Sequence, residues 1–234
     1  MNTSSANPCA RLWALLPCAG NGSRSGASGP KQYAPVAGQP LVLHTLAAFA
    51  AVPRLSGVLV VVSAGDGFFA QYPNAPFLVA DCGGTTRAQS VLNGIGALQA
   101  RGAAADDWVL VHDAARCLVT PAQINVLIDA CLPDAVGGLL ALKLPDTLKR
   151  AVDGRAAQTV DRSDKWLAQT PQMFRLGALR SALLAAGDAV TDEASALELA
   201  GHAPLLVEGS AQNFKVTYPQ DFALAEAVLR SRMA

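Results

Sequence analysis

Short apolar runs alternate with amphipathic stretches along most of this chain. Runs that are apolar at every position and end in Pro, Gly or polar residues predict strands buried on both faces of a sheet. The predicted strands cover residues 12–17, 57–63, 77–80, 108–113 and 137–144, with shorter ones at 205–207 and 214–216. This spacing leaves room for a helix between most successive strands.

The amphipathic stretches predict the helices. They cover residues 40–52, 85–100, 121–131, 176–186 and 192–199, and a last helix begins at residue 219. Pro121 suits the first position of its helix, where no backbone donor is needed. Thr191 is the predicted N-cap of the fifth helix, with Asp192 and Glu193 in its first turn.

Residues 145–164 differ from the rest, because they are polar and lack helical periodicity. Asp153-Gly154 lies between two short strand-like runs, which is a hairpin signal. The strand–helix alternation elsewhere predicts an α/β fold with a Rossmann-like, mostly parallel sheet and helices on both faces. We expect a single domain over residues 1–234, with a projecting β-arm at about residues 143–165.

Charge is balanced overall but uneven along the chain. The 18 basic and 18 acidic residues give no net charge, so we expect neither nucleic acid nor a membrane as a partner. Before the first acid, Asp66, come four cations: Arg11, Arg24, Lys31 and Arg54. This local excess suits a polyanionic ligand, although a chance gap in an acid-poor stretch explains it equally well.

The cysteines and the N-terminus bear on location. The five cysteines show no zinc-site spacing, and no run approaches the roughly 20 apolar residues of a membrane helix. The first residues contain too short an apolar run for a signal peptide. Reduced thiols in a cytoplasmic protein are therefore expected.

The loop PCAGNGSRSGASGPKQY (17–33) follows the first predicted strand, at the end where such sheets bind ligands. A P-loop is excluded because GxxxxGK[ST] is absent. A dinucleotide fingerprint is excluded because Ser25 replaces its third Gly and no acid precedes Asp66 to hold a ribose. Two interpretations remain: the nucleotidyltransferase loop A-G-x-G-x-R followed by P-K, or a Gly-rich turn with two solvated cations.

Three later segments carry candidate chemistry. Gly83 and Gly84 permit close backbone approach before a helix whose free amides suit a polar ligand. Asp113 at a strand end is a candidate metal or substrate ligand, or else a salt-bridge partner of Arg116. Lys215 in an apolar segment is a candidate phosphate ligand, or a lysine that protects a sheet edge.

Together these segments resemble the 2-C-methyl-D-erythritol 4-phosphate cytidylyltransferases of non-mevalonate isoprenoid biosynthesis. The resemblance runs from about residue 12 to residue 229. It rests on the ordered set PKQY, GGxxRxxSV, HDAAR, DT(L/M)KR, TVDR, TPQ, TDEASALE and EGxxxNxKVT. Single motifs are shared with the wider sugar-nucleotidyltransferase superfamily, but the whole set is highly specific.

The resemblance implies a role for each matching position. The implied catalytic residues are Arg24, Lys31, Arg162 and Lys215. The implied nucleotide-binding residues are Cys18, Ala19, Gly20, Gly22, Gly84, Thr85, Ser90 and Ala114. The implied methylerythritol phosphate ligands are Asp113, Arg116, Thr147, Arg162, Thr191 and Lys215, of which Thr147 and Arg162 reach the site from the arm of a partner subunit in a homodimer.

The resemblance also implies the reaction, in which a substrate phosphate oxygen attacks the α-phosphorus of CTP and releases pyrophosphate. Mg²⁺ or another divalent cation is the implied cofactor, bound mainly through the nucleotide phosphates and by no dedicated protein ligands. Two alternatives stay open: a cytidylyltransferase for ribitol 5-phosphate or a related polyol phosphate, and a nucleotide-binding module without turnover. The cations Arg24, Lys31, Arg162 and Lys215 argue against the second.

A few positions depart from the family pattern: Cys18, Ser25, Cys117 and Thr85. Cys18 lies within the cationic loop, where positive charge favours thiolate. We expect Cys18 to be alkylated readily and to be protected by CTP with Mg²⁺.

Overall fold

The computed structural model describes residues 10–20 and 29–232. Its strands are β1 (Leu12–Pro17), β2 (Pro35–Val36), β3 (Gln39–Pro40), β4 (Gly57–Val61), β5 (Leu78–Ala80), β6 (Trp108–Val111), β7 (Gly137–Lys143), β8 (Leu148–Val152), β9 (Arg155–Val160), β10 (Trp166–Arg175) and β11 (Leu205–Glu208). Its helices are α1 (Leu41–Ala50), α2 (Arg87–Ala100), α3 (Pro121–Cys131), α4 (Leu176–Ala186), α5 (Glu193–Leu199) and α6 (Pro219–Ser231). A 3₁₀ turn at Lys31–Tyr33 follows the Gly-rich loop.

Seven strands form the central sheet, in the order β11-β7-β10-β6-β1-β4-β5. β1 lies in the middle and runs parallel to both β4 and β6. Only β10 is antiparallel to its neighbours, β6 and β7, among the strands that the structure describes in this sheet. The predicted α/β fold with a mostly parallel sheet is confirmed.

β1 shows why the predicted strands are buried on both faces. Leu12, Ala14 and Leu16 pack in a cluster with side chains of α1 and α3, on one face of the sheet. Trp13 and Leu15 point the other way, against side chains of α2, α4 and α5. Successive side chains of a strand alternate between faces, so an uninterrupted apolar run fills both layers of the core.

β10 was not predicted. Its sequence WLAQTPQMFR is interrupted by Gln169, Thr170 and Pro171, which indicate a loop, yet the strand crosses the middle of the sheet. Pro171 follows a cis peptide bond at a register shift between Ala168 and Gln172. Proline is tolerated inside a sheet at such an irregularity, where no ladder hydrogen bond is needed from it.

Two other predictions were wrong. Residues 214–216 are not a strand. Val216 N donates a hydrogen bond to Ala115 O, but the segment does not form the repeated backbone hydrogen bonds of a strand pair. The N-cap of α5 is Asp192 and not Thr191, since the Asp192 carboxylate accepts the amide of Ser195 at 3.0 Å.

The predicted hairpin is present. β8 and β9 pair antiparallel in a two-stranded sheet of their own, joined by Asp153 and Gly154, both with positive φ. Most of its side chains are exposed. Within the described ranges, no helix is long and apolar enough to cross a membrane.

Candidate active site

Two adjoining cavities open at the carboxyl ends of β1 and β6. The first, of about 250 Å³, is lined by Pro17, Cys18, Ala19, Gly20, Lys31, Gln32, Gly84, Thr85, Thr86, Arg87, Ser90, Asp113, Ala114, Ala115 and Lys215. The second, of about 200 Å³, is lined by Arg87, Asp113, Arg116, Ala168, Gln169, Thr170, Gln172, Thr191, Asp192 and Lys215. Arg87, Asp113 and Lys215 belong to both, so they form a shared wall.

The first cavity brings the predicted nucleotide-binding residues together. Cys18, Ala19 and Gly20 lie at the end of β1, and Gly84, Thr85, Ser90 and Ala114 complete the lining. Gly83 makes this closeness possible, because a Cβ on it would stand 2.4 Å from the Ala19 Cβ. Gly22, Arg24 and Ser25 lie outside the described residues.

Cys18 is not the reactive thiol that the sequence suggested. It is 2% exposed and packs in the core, and burial raises its pKa to about 12. Burial likewise raises the pKa of Cys117 to about 12. Burial disfavours the thiolate, so both groups are held as protonated thiols at neutral pH.

Ser90 organises the turn before α2. It is buried, and its hydroxyl donates to Thr86 O at 2.9 Å while it accepts the amide of Gly84 at 3.0 Å. Thr86 caps α2 by accepting the amide of Gln89 at 3.1 Å. Gly84 is therefore fixed against the first turn of α2 at the cavity wall.

Asp113 is the centre of the shared wall. It is 8% exposed, and its carboxylate lies 2.8 Å from Arg87 Nε, 2.8 Å from Lys215 Nζ and 3.8 Å from Arg116 Nε. Burial alone would raise the pKa of Asp113, but the charges of Arg87 and Lys215 hold it well below its ordinary value. Asp113 is thus ionised at neutral pH.

Arg87 is a site residue that the sequence reasoning missed. Its guanidinium forms a bidentate ion pair with the fully buried Glu193: Nη1 donates to Oε1 at 2.6 Å and Nη2 donates to Oε2 at 3.0 Å. Its Nε also donates to Asp113. Burial lowers the pKa of Arg87, but the two carboxylates raise it further, so the group stays charged. The motif GGxxRxxSV contains Arg87, but an arginine at a helix start is also typical of a solvated surface.

Arg116 is held by two backbone carbonyls at the second cavity. Arg116 donates from Nη1 to Asn213 O at 2.7 Å and from Nη2 to Ala168 O at 3.3 Å. Its Nε has no hydrogen bond to any described residue, although it is buried. Arg116 and Lys215 both line the second cavity, and two cations there suit an anionic ligand.

His112 is structural, as the sequence suggested. It is fully buried, and burial lowers its pKa to about 3. Nε2 faces the Arg116 carbonyl at 3.2 Å, which can only accept, so Nε2 carries the proton. Nδ1 then accepts from the hydroxyl of Thr170 at 3.0 Å, and Thr170 accepts the Asp113 amide at 3.1 Å. The neutral ring therefore orients the backbone on both sides of Asp113.

The remaining predicted residues divide into two groups. Thr191 lies at the second cavity, next to Asp192. Thr147 and Arg162 are exposed on the arm and line neither cavity of their own chain; Arg162 donates to the Pro145 carbonyl. The described residues thus place four of the six predicted methylerythritol phosphate ligands together and two apart.

A metal cage is not formed by the described residues. They contain no group of three or more His, Cys, Asp or Glu side chains placed to hold a metal ion. Of the described residues that line the first cavity, Asp113 is the only acid, and it is already paired with Arg87 and Lys215.

Comparison with known proteins agrees with this geometry. Residues 12–231 match the family model described as 2-C-methyl-D-erythritol 4-phosphate cytidylyltransferase (IspD). A protein of that name from Paraburkholderia phymatum is 55% identical over 227 residues, which cover 94% of this chain and 96% of the relative. A bifunctional IspD/IspF enzyme from Albidiferax ferrireducens is 68% identical over 224 residues, and there the match covers 95% of this chain but 54% of the relative.

Solved structures give the same result. A crystal structure of 4-diphosphocytidyl-2C-methyl-D-erythritol synthase superposes with a TM-score of 0.83 at 41% identity, covering 94% of this chain and 98% of that one. The Francisella tularensis 2-C-methyl-D-erythritol 4-phosphate cytidylyltransferase gives a TM-score of 0.80 at 33% identity, covering 94% and 100%. This chain belongs to the 2-C-methyl-D-erythritol 4-phosphate cytidylyltransferase family.

Proposed function

We propose that the first cavity holds CTP, that the second holds 2-C-methyl-D-erythritol 4-phosphate, and that the chain transfers the cytidylyl group between them in isoprenoid precursor biosynthesis. The observation that carries this assignment is the shared wall. Two cavities that meet at Arg87, Asp113 and Lys215 suit two ligands that must react with each other.

The reaction forms one P–O bond and breaks another. An oxygen of the methylerythritol phosphate attacks the α-phosphorus of CTP, and the bond from that phosphorus to the β-phosphate oxygen breaks, so pyrophosphate leaves with the electron pair. The second pKa of a phosphate monoester is near ~6, so the nucleophile is already largely ionised at neutral pH. No general base is needed, which agrees with the buried, neutral state of His112.

The main obstacle is the approach of two anions, and cations at the junction reduce it. Lys215 faces both cavities, and Lys31 lies in the first, where its Nζ donates to Val216 O at 2.8 Å. Arg116 faces only the second cavity. We assign Lys31 and Arg24 to the triphosphate, Lys215 to the reacting phosphates, and Asp113 to a hydroxyl of the polyol.

A divalent cation, Mg²⁺ or a similar ion, is part of the proposal. The described residues do not suit a metal site of their own, because their only acid at the first cavity is engaged by two cations. Mg²⁺ keeps several waters and commonly binds through substrate phosphates. When bound in that way it neutralises phosphate charge.

We also propose a homodimer in the cytoplasm. The arm of β8 and β9 carries Thr147 and Arg162 near its base, and neither lines a cavity of its own chain, so a partner's site is their assigned place. The four described cysteines, Cys18, Cys82, Cys117 and Cys131, are free thiols. Free thiols are typical of a reducing compartment.

The function is tested by measuring pyrophosphate release from CTP with a panel of polyol phosphates. We expect turnover with 2-C-methyl-D-erythritol 4-phosphate and little with ribitol 5-phosphate. Turnover with ribitol 5-phosphate alone would move the chain to another substrate. The absence of turnover with every acceptor would leave a nucleotide-binding module.

A further inference from the structure

Gln32 is a buried polar residue within the 3₁₀ turn that follows the Gly-rich loop, and the proposed reaction gives it no role. It is 6% exposed and follows Lys31 directly. Its Nε2 donates to Cys18 O at 2.8 Å and to Gly20 O at 3.0 Å. A single side-chain amide thus binds two carbonyls of the loop that begins the first cavity.

These two hydrogen bonds determine whether carbonyl oxygens or amide N–H groups of the loop face an anion in the first cavity. A carbonyl oxygen directed at a triphosphate would repel it, whereas an amide N–H attracts it. The peptide unit is planar and trans, so the Cys18 oxygen and the Ala19 N–H point in opposite directions. Fixing the Cys18 oxygen on Gln32 therefore fixes the direction of the Ala19 amide.

Gln32 can do this because its own turn is held from two other sides. The Tyr33 hydroxyl donates to Asp66 at 2.6 Å, and the Tyr33 ring stacks on Phe68 with centroids 3.8 Å apart. On the other side, Lys31 donates to Val216 O. A side chain on a turn held in this way loses little further entropy when it binds the loop.

We propose that Gln32 is a positioning residue for the triphosphate: it orients the loop carbonyls away from the nucleotide and so sets the affinity for CTP without touching the reacting atoms. The proposal rests on the assignment of the first cavity to CTP. From the motif PKQY, the resemblance implied a role at the nucleotide for Lys31 alone. The hydrogen bonds of Gln32 add a role for the next residue.

The test compares Gln32→Met with Gln123→Met. Both changes replace a glutamine by a methionine of similar size and so remove a side-chain amide. Gln123 accepts the backbone N–H of Thr120 in the capping box of α3, and it lines neither cavity. Dissociation constants for CTP, inhibition constants for cytidine and thermal midpoints are measured for both variants and the wild type.

We expect Gln32→Met to weaken CTP binding about tenfold, as the loss of two hydrogen bonds would. Cytidine has no phosphate, so its inhibition constant should stay within about twofold of wild type, and KM for the polyol phosphate should do the same. Gln123→Met should lower the thermal midpoint but leave all three constants unchanged.

Equal weakening of CTP and cytidine by Gln32→Met would overturn the proposal, since it would indicate a general loss of structure. An unchanged CTP constant in the folded variant would also overturn it. If Gln32→Met does not fold, Gln32→Asn keeps the amide but is too short to reach both carbonyls, and the same comparison applies. A wild type that binds CTP but does not turn over would defeat the proposed function and leave this binding test intact.

Discussion

At the scale of single residues, burial decides which groups are reactive. Cys18 lies in the loop that carries Arg24 and Lys31, yet its side chain belongs to the core cluster against which Tyr33 packs, and burial raises its pKa to about 12. Cys82 is only partly buried, although burial raises its pKa as well. The position of Cys18 along the chain predicted a reactive thiol, whereas the burial of its side chain is visible only in the structure.

Cys18 should therefore resist alkylation. With iodoacetamide at pH 8, we expect its labelling to be slower than that of Cys82 and to be the same with and without CTP and Mg²⁺. Peptide mass spectrometry measures both rates in one sample. Rapid labelling of Cys18 that CTP prevents would contradict its buried position.

His112 predicts how stability depends on pH. Its pKa is about 3 in the folded protein and near 6.5 when unfolded, so the unfolded state binds the proton that the folded state refuses. The stabilisation is complete above about pH 6.5 and is lost as the pH falls towards 3. The expected loss is about 1.4 kcal/mol of unfolding free energy for each pH unit.

Urea unfolding at pH 7.0, 5.5 and 4.5 measures this slope. His112→Gln should have a shallower slope over that range, while His202→Gln, which changes an exposed turn residue, should keep the wild-type slope. Asp113 contributes little to the slope at pH 4.5 and above, because its pKa is near ~3.9 in the unfolded chain and lower still in the folded protein. A slope unchanged by His112→Gln would contradict the assignment.

At the scale of elements, the first turn of α5 holds the shared wall through Glu193. Gln172 of β10 fixes that turn by accepting the Ala194 amide at 2.7 Å and donating to Asp192 at 2.8 Å. Glu193 can then receive Arg87, which in turn holds Asp113. The start of α2 and the start of α5 are thereby joined through the ion pair of Arg87 with Glu193.

Glu193→Gln should lower the free energy of unfolding by about 3 kcal/mol, because it removes the fully buried carboxylate that accepts two of the Arg87 hydrogen bonds and leaves Asp113 to balance that charge. Glu226→Gln is the matched control: it removes the exposed pair with Arg230 on α6 and should cost less than about 1 kcal/mol. Denaturant unfolding at neutral pH gives both values. Equal effects of the two changes would show that burial does not make the Arg87 pair special.

The elements also show what could be predicted from the sequence. Strong periodicity located β1, β4, β6 and α3 to within a few residues, since apolar runs and a proline at a helix start have local causes. β10 was not predicted as a strand because its centre, from Gln169 to Gln172, is polar. Gln169, Thr170 and Gln172 line the second cavity and do not form an apolar run. Its place between β6 and β7 depends on contacts far apart in the chain, which no local pattern contains.

The site follows the same division. The motifs pointed to Asp113, to Lys215 and to the loop residues, and the structure brings Asp113, Lys215 and the described loop residues Cys18, Ala19 and Gly20 to the first cavity. Arg87, Gln32 and Glu193 were missed, since each acts through a partner distant in sequence. Their roles follow from distances between side-chain atoms in the folded chain, which the spacing of residues along the sequence does not contain.

At the scale of the whole molecule, the arm predicts that each active site is shared by two chains. Arg24→Ala and Arg162→Ala should each be nearly inactive as pure proteins. If Arg162 acts across the dimer, a mixed dimer contains one site with both arginines intact. Co-refolding equal amounts of the two variants should then restore on the order of a quarter of wild-type activity.

The control is Arg24→Ala co-refolded with the double variant Arg24→Ala/Arg162→Ala, which has no intact site in any combination and should stay inactive. Native mass spectrometry with one variant labelled with ¹⁵N confirms that mixed dimers form. Failure to restore activity in a sample that contains mixed dimers would place Arg162 in its own chain's site or outside catalysis.

The central claim is that a cytidylyl group passes from CTP in the first cavity to 2-C-methyl-D-erythritol 4-phosphate in the second. The identity of the product tests this claim most directly. Phosphorus NMR of the purified chain with CTP, Mg²⁺ and 2-C-methyl-D-erythritol 4-phosphate should show the two coupled signals of one diphosphate-bridged product, together with one pyrophosphate for each CTP consumed. Formation of CMP or CDP without a bridged product, or a bridged product only with ribitol 5-phosphate, would contradict the account.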